Sequence, residues 1–317
     1  MKRFFLAALF VLSTLFVFAQ PINFDKEETA FEQATLPEGE IAINRLQWLP
    51  DSHDFWINDK GSIYLYSADD LNNKKLVLSA DQIKASGLMT RTEAIVWSAD
   101  RKKILIYTNS ARVWRGNTKG DYWYFDVAFG KGKQIGKGLP SSSLMFAKFS
   151  PDNKNVAYVS KHNLYMEDLA SGKITQLTKD GTDKIINGTF DWVYEEELSC
   201  RDGFRWSPDG KSIAYWRVDA TPTKNYLMIN TTDSLYPFIV PVEFPVAGEK
   251  PSYVKVGVMN LATKKTSWLQ IPGDPQNNYL PRMEWAGNNK DIMVVQLNRK
   301  QNEADLYLCN AISGKAN

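Results

Sequence analysis

The chain has 317 residues, 44% hydrophobic and 23% charged, with 38 basic and 36 acidic side chains. That apolar content supports a large buried core and excludes a disordered chain. The near balance of charge offers no electrostatic footprint for nucleic acid and no field to hold an anionic membrane.

Met1-Lys2-Arg3 is followed by an uncharged run from Phe4 to Phe18 and then by Ala19-Gln20-Pro21. A basic start, a short apolar stretch and small residues at Val17 and Ala19 predict a secretory leader over 1–20. Retention as a membrane anchor is the alternative, but fifteen residues fall short of the roughly 20 that a spanning helix needs. Export, periplasmic or extracellular, is therefore the expected location. Without Lys2 and Arg3 the charges balance.

From residue 47 onward one pattern recurs: "QWLPDSHDFWIN" at 47, "VWSADRKKILIY" at 96, "KFSPDNKNVAYV" at 148, "RWSPDGKSIAYW" at 205 and "EWAGNNKDIMVV" at 284. Each unit is an aromatic, a tight polar turn and an alternating apolar strand, so each predicts a β-hairpin. In "WSPDGKSIAYW", Trp206 ends one strand. Pro208, Asp209 and Gly210 make the turn, and Ile213, Tyr215 and Arg217 alternate with Ser212, Ala214 and Trp216 on the next strand. A second hairpin follows in "NLYMEDLASGKITQLT" and "DLYLCNAISGKAN". Four strands per unit predict the blades of an all-β propeller, about four complete and most of a fifth over 21–317.

The aromatics Trp48, Trp97, Phe149, Trp206 and Trp285 are 49, 52, 57 and 79 residues apart, so the later units carry insertions. One precedes Trp206 and holds "DWVYEEEL" (191–198). Another, about 220–252, is rich in proline and is expected as a long strand pair lying over its blade. Cys200 and Cys309 are expected as buried thiols rather than a bridge. His53 and His162 are too few and too isolated for a metal cluster, and surface or hydrogen-bonding roles suit them better. No cofactor is implied. Two Asn-x-Thr sequons begin at Asn187 and Asn230, of consequence only in a glycosylating host.

Three consecutive glutamates are unusual beside Trp192, Val193 and Tyr194. In the simplest arrangement Asp191 caps a short helix whose first turns hold Glu195, Glu196 and Glu197, where the helix dipole favours negative charge. A short, irregular helix projecting from a blade could instead converge Glu196 and Glu197 on one cation. A primary ammonium, with three donors, would satisfy both.

"DWVYEEEL" resembles the signature loop of the dipeptidyl peptidase IV family, serine exopeptidases that join an eight-bladed propeller to an α/β-hydrolase domain. "VWRGNTKGDYWYFDV" (113–127) and "SLYPFIVPVEFPVAGEKPSYVKVGV" (234–258) resemble family segments in the same order. The resemblance implies that Glu196 and Glu197 bind the α-ammonium of a peptide substrate and that Arg115 binds the carbonyl of its second residue. Asp191, Trp192, Tyr194 and Glu195 would support the loop. It further implies removal of N-terminal Xaa-Pro or Xaa-Ala dipeptides, partnership with a C-terminal hydrolase domain, and a homodimer contact in 224–251.

The chain contains no G-x-S-x-G elbow, and neither histidine follows a candidate serine in the expected order, so these residues are expected to hydrolyse nothing alone. Two alternatives remain at this stage: a non-catalytic exported propeller acting as a binding or scaffold module, and an inactive relative of the peptidase.

Overall fold

The computed structural model describes residues 46–49 and 52–317; the expected leader lies outside them. Among the described residues five antiparallel sheets follow one another along the chain, with a sixth, two-stranded one inserted in the fourth. The first holds β1 (Gln47–Trp48), β2 (Asp54–Asp59), β3 (Ser62–Ser67) and β4 (Lys75–Leu78). A short helix, α1 (Ala80–Ala85), leads to β5 (Ala94–Trp97), β6 (Lys103–Val113), β7 (Gly116–Asp126) and β8 (Lys131–Gln134) of the second. The third is β9 (Met145–Phe149), β10 (Asn155–Ser160), β11 (Asn163–Asp168) and β12 (Ile174–Gln176).

In the fourth sheet the first strand is split into β13 (Ile185–Asn187) and β14 (Phe204–Trp206), with α2 (Trp192–Leu198) between them. Both halves pair with β15 (Ser212–Asp219). A separate hairpin, β16 (Asn225–Asn230) and β17 (Phe238–Glu243), intervenes before β18 (Tyr253–Asn260) and β19 (Thr266–Trp268) complete the sheet. The fifth has three strands, β20 (Asn278–Trp285), β21 (Asp291–Asn298) and β22 (Ala304–Asn310). Four full blades and most of a fifth match the count from the repeat.

Every repeat aromatic, Trp48, Trp97, Phe149, Trp206 and Trp285, is the last residue of its strand. The turn after it has one chemistry in the three middle units. Ser207 Oγ donates to Asp209 (2.7 Å) and accepts from Ser212 N (2.9 Å), while Asp209 accepts from Lys211 N (3.1 Å). Ser98 with Asp100 and Ser150 with Asp152 repeat these bonds. Desolvation works against all three aspartates, yet the serine and backbone donors prevail and hold their carboxyls below the usual range.

A blade strand buries both faces, because each face meets a different neighbouring sheet. On β15, Ile213 and Tyr215 pack with Ala157 and Val159 of the third sheet, whereas Ala214, Trp216 and Val218 pack with Met283, Ile292 and Val294 of the fifth. Fully burying each of the valine, isoleucine and methionine side chains contributes about 1.5–3 kcal/mol. Trp216 Nε1 also donates to Leu280 O at 2.8 Å, so the indole satisfies its polar atom across the interface.

The proline-rich insertion corrects one expectation. It is a strand pair, but it does not lie over its blade: Tyr226, Leu227, Ile229 and Ile239 are exposed, and Leu235 and Tyr236 near its tip are more so. Its polar ties to the rest of the chain, Lys184 to Glu243 and Arg299 to Glu249 O, lie at its base and the side chains beyond are exposed, so the arm projects. Cys200 and Cys309 are buried free thiols, and burial raises both, Cys309 to about 11. His53 is an exposed partner of Asp69, and His162 Nδ1 contacts Thr182 O.

Candidate functional site

The acidic octet is a seven-residue α-helix, regular rather than irregular. Asp191 caps it, accepting from Tyr194 N at 3.1 Å, and Ser199 in left-handed backbone (φ 55°) ends it. Its two flanks meet at a glycine neck: Gly203 N donates to Gly188 O (3.0 Å), and Gly188 N to Trp216 O (2.9 Å). A Cβ on Gly203 would sit 2.6 Å from the Gly188 carbonyl carbon, so the neck closes only with glycine there. The helix is thus a side loop of the first strand of its blade.

Its inner face is fixed by aromatic packing. Tyr194 is buried, stacks on Phe190 (5.4 Å between ring centroids), and its hydroxyl accepts from Leu280 N of the fifth sheet at 3.0 Å. The three glutamates then take three environments. Glu195 is buried against Arg201 Nε (3.1 Å). Glu196 is half-buried and meets Arg115 Nη2 at 2.5 Å. Glu197 is exposed, with no ion-pair partner among the described residues.

Arg115 arrives from another blade. Strands β6 and β7 run eleven residues each, well past the partners β5 and β8, and their two-residue turn is Trp114-Arg115. Val113 of this hairpin packs into the core between the third and fourth sheets. At the tip Trp114 adopts φ 47°, unusual for a residue with a Cβ and costing of order 1 kcal/mol. Two contacts offset this: Arg112 Nε donates to Trp114 O (2.6 Å), and the Trp114 ring stacks on Trp192 at 6.2 Å. The structure therefore brings together Arg115, Glu195, Glu196 and Trp192, residues separated by about eighty positions in sequence.

Three further residues escaped sequence reading. Arg201 neutralises Glu195. Ser252 donates to Asp191 at 2.6 Å, and Phe244 packs on Trp192 at 5.6 Å. The last two flank the arm and carry no motif of their own; only "RDGF" after the octet offered a signal, an arginine three residues past the helix.

Residues 98–317 match the family model for the dipeptidyl peptidase IV (DPP IV) N-terminal region. The chain belongs to the dipeptidyl peptidase IV family. A probable dipeptidyl-aminopeptidase B of Podospora anserina is 29% identical over 300 residues, 88% of this chain and 32% of that protein. Dipeptidyl aminopeptidase B of Saccharomyces cerevisiae is 27% identical over 290 residues, 86% and 34% respectively. The crystal structure of Porphyromonas gingivalis dipeptidyl peptidase 4 superposes with a TM-score of 0.79 at 26% identity, over 92% of this chain and 41% of that one. The chain thus spans about a third of the length of these curated relatives, in the region of the family's N-terminal propeller.

Proposed function

We propose that this chain is the substrate-gating propeller of an exported serine exopeptidase that removes N-terminal dipeptides, with Glu196 and Glu197 binding the substrate's α-ammonium and Arg115 its second-residue carbonyl. The observation that carries this is the Arg115–Glu196 contact, which joins a blade-two hairpin to a blade-four helix and sets the arginine against the first of the two carboxylates. Glu195 is compensated by Arg201 and Glu196 by Arg115, so the charge left open is that of Glu197, and a ligand that draws Arg115 to its carbonyl frees Glu196 to join it. An α-ammonium, with pKa about 7.7–8, is mostly charged at neutral pH. Held there, it sets how many residues extend to the nucleophile, as positioning by remote binding groups requires.

Residues 1–317 contain no G-x-S-x-G, so in this reading the nucleophile belongs to an α/β-hydrolase domain outside them. Export rests on the leader pattern at 1–20. The exposed arm at 224–251 suits contact with a second copy, since Leu227, Ile229 and Ile239 present apolar area that nothing among the described residues covers. The rival, a scaffold propeller, has no use for a fixed Arg–Glu cluster.

The test is calorimetric titration of the chain with the tripeptide Ala-Pro-Ala and with its N-acetylated form. Binding of the free amine alone supports the reading; equal binding, or none at millimolar peptide, counts against it.

A further inference from the structure

The root of the exposed arm touches the acidic helix at two independent places. On one side Ser252, where the chain returns from the arm, is buried and donates to the buried Asp191 at 2.6 Å, and Thr223, where the chain leaves for the arm, lies 3.2 Å from Ser252 through its hydroxyl. On the other, Phe244 directly after β17 packs on Trp192 at 5.6 Å, and Trp192 stacks on Trp114 next to Arg115. Asp191 is the cap and Trp192 the first residue of α2. The arm root therefore fixes where the helix starts and, through the Trp192–Trp114 stack, where the blade-two hairpin stops.

A helix of two turns inserted in a strand has no length of its own to hold an orientation. Its inner face is set by Tyr194 against Phe190 and Leu280, but its start needs a separate restraint. Lys184 ties the root to the blade, donating to Thr223 O at 2.9 Å and pairing with Glu243 at the end of β17. The root is thus the joint through which blade four, the acidic helix and the Arg115 hairpin are referenced to one another.

We infer that Ser252 and Phe244 are positioning residues for the ammonium clamp: they touch no ligand, but set the separation of Arg115 from Glu196 and Glu197. This rests on the proposed role of the glutamates, and it makes the arm root part of the clamp rather than the stalk of an independent projection. Movement of the arm root would then register as a change in ammonium affinity.

The test compares the affinity of the full chain for Ala-Pro-Ala with that for its N-acetylated form, in Ser252→Ala, Phe244→Ala, the conservative Ser252→Thr and Phe244→Tyr, and two controls. The controls are Glu197→Gln, which attacks the clamp itself, and Tyr236→Ala, near the arm tip. Ser252→Ala and Phe244→Ala are expected to reduce the preference for the free amine about tenfold, the scale of one lost bond to a charged group. The conservative variants should restore it, Tyr236→Ala should leave it unchanged, and a thermal melt should show each variant folded. Unchanged preference in both alanine variants, with Glu197→Gln impaired, overturns the inference and leaves the clamp intact. Unchanged preference in Glu197→Gln overturns the clamp and the inference with it.

Discussion

At the residue scale, burial divides three adjacent carboxylates into different duties. Glu195 is a buried counter-ion for Arg201, and its loss would leave that arginine beside the hairpin tip without compensation. Glu197 has no ion-pair partner among the described residues, so Glu197→Gln should weaken binding of a free-N-terminal peptide about tenfold and leave an acetylated peptide unaffected, as calorimetry would show. Asp191 gives a pH prediction. Burial raises its carboxyl above the ordinary range, against the pull of the Ser252 hydroxyl and the Tyr194 N–H. A raised folded-state value means that the folded protein binds the proton more tightly. This stabilisation is fully present below the unfolded value near 3.8 and is lost as pH rises through the folded value. Asp191→Asn keeps a capping oxygen without the charge, so its melting temperature should exceed that of the parent at pH 7 and converge with it in acid. A parent-like melting temperature at pH 7 would contradict this. The octet was legible as a capped acidic helix because Asp191 and the triple glutamate are local signals. Ser252 and Phe244 were not, since only folding brings them there.

At the scale of elements, the fourth blade carries both insertions, and each enters at a place where the sheet tolerates it. The acidic helix splits the first strand, whose halves still share β15 as partner. The arm leaves after Asp219 and returns at Tyr253, and these two residues are themselves paired. The helix insertion depends on its neck. Gly203→Ala would force a Cβ to 2.6–2.8 Å from the backbone of Gly188 and Thr189, and is expected to destabilise the protein by about 1–3 kcal/mol in urea unfolding. A loss below half a kcal/mol would show that the neck can open. The hairpins were readable because Ser-x-Asp-x-x turns and alternating strands are short-range features. The arm was read as a strand pair for the same reason, but whether a strand pair lies on a sheet or projects from it depends on what covers it. Its proline content could not say which.

At the scale of the whole molecule, adjacent sheets share one core at each interface, and no core among the described residues joins the first sheet to the fifth. The far face of the fifth sheet instead presents Met293, Leu306 and Leu308 to solvent. Three neighbouring apolar side chains on a sheet face, together with the exposed arm, predict self-association of the isolated chain. Sedimentation velocity should show this growing with concentration, and Leu306→Lys with Leu308→Lys should reduce it without lowering the melting temperature. If the double variant associates as strongly as the parent, the arm rather than the sheet face is responsible. Blade number and order were legible from five aromatic turns. From residue chemistry alone the site was legible only as a glutamate run, and it was the family resemblance that joined Arg115, about eighty residues away, to it, because their meeting depends on a long hairpin crossing from one blade to another. The most direct measurement is a crystal structure of the chain soaked with Ala-Pro-Ala. The α-ammonium is predicted within hydrogen-bonding distance of both Glu196 and Glu197, with Arg115 turned to the second-residue carbonyl. A peptide bound with its N-terminus elsewhere, or Glu197 left without a contact to it, would contradict the clamp.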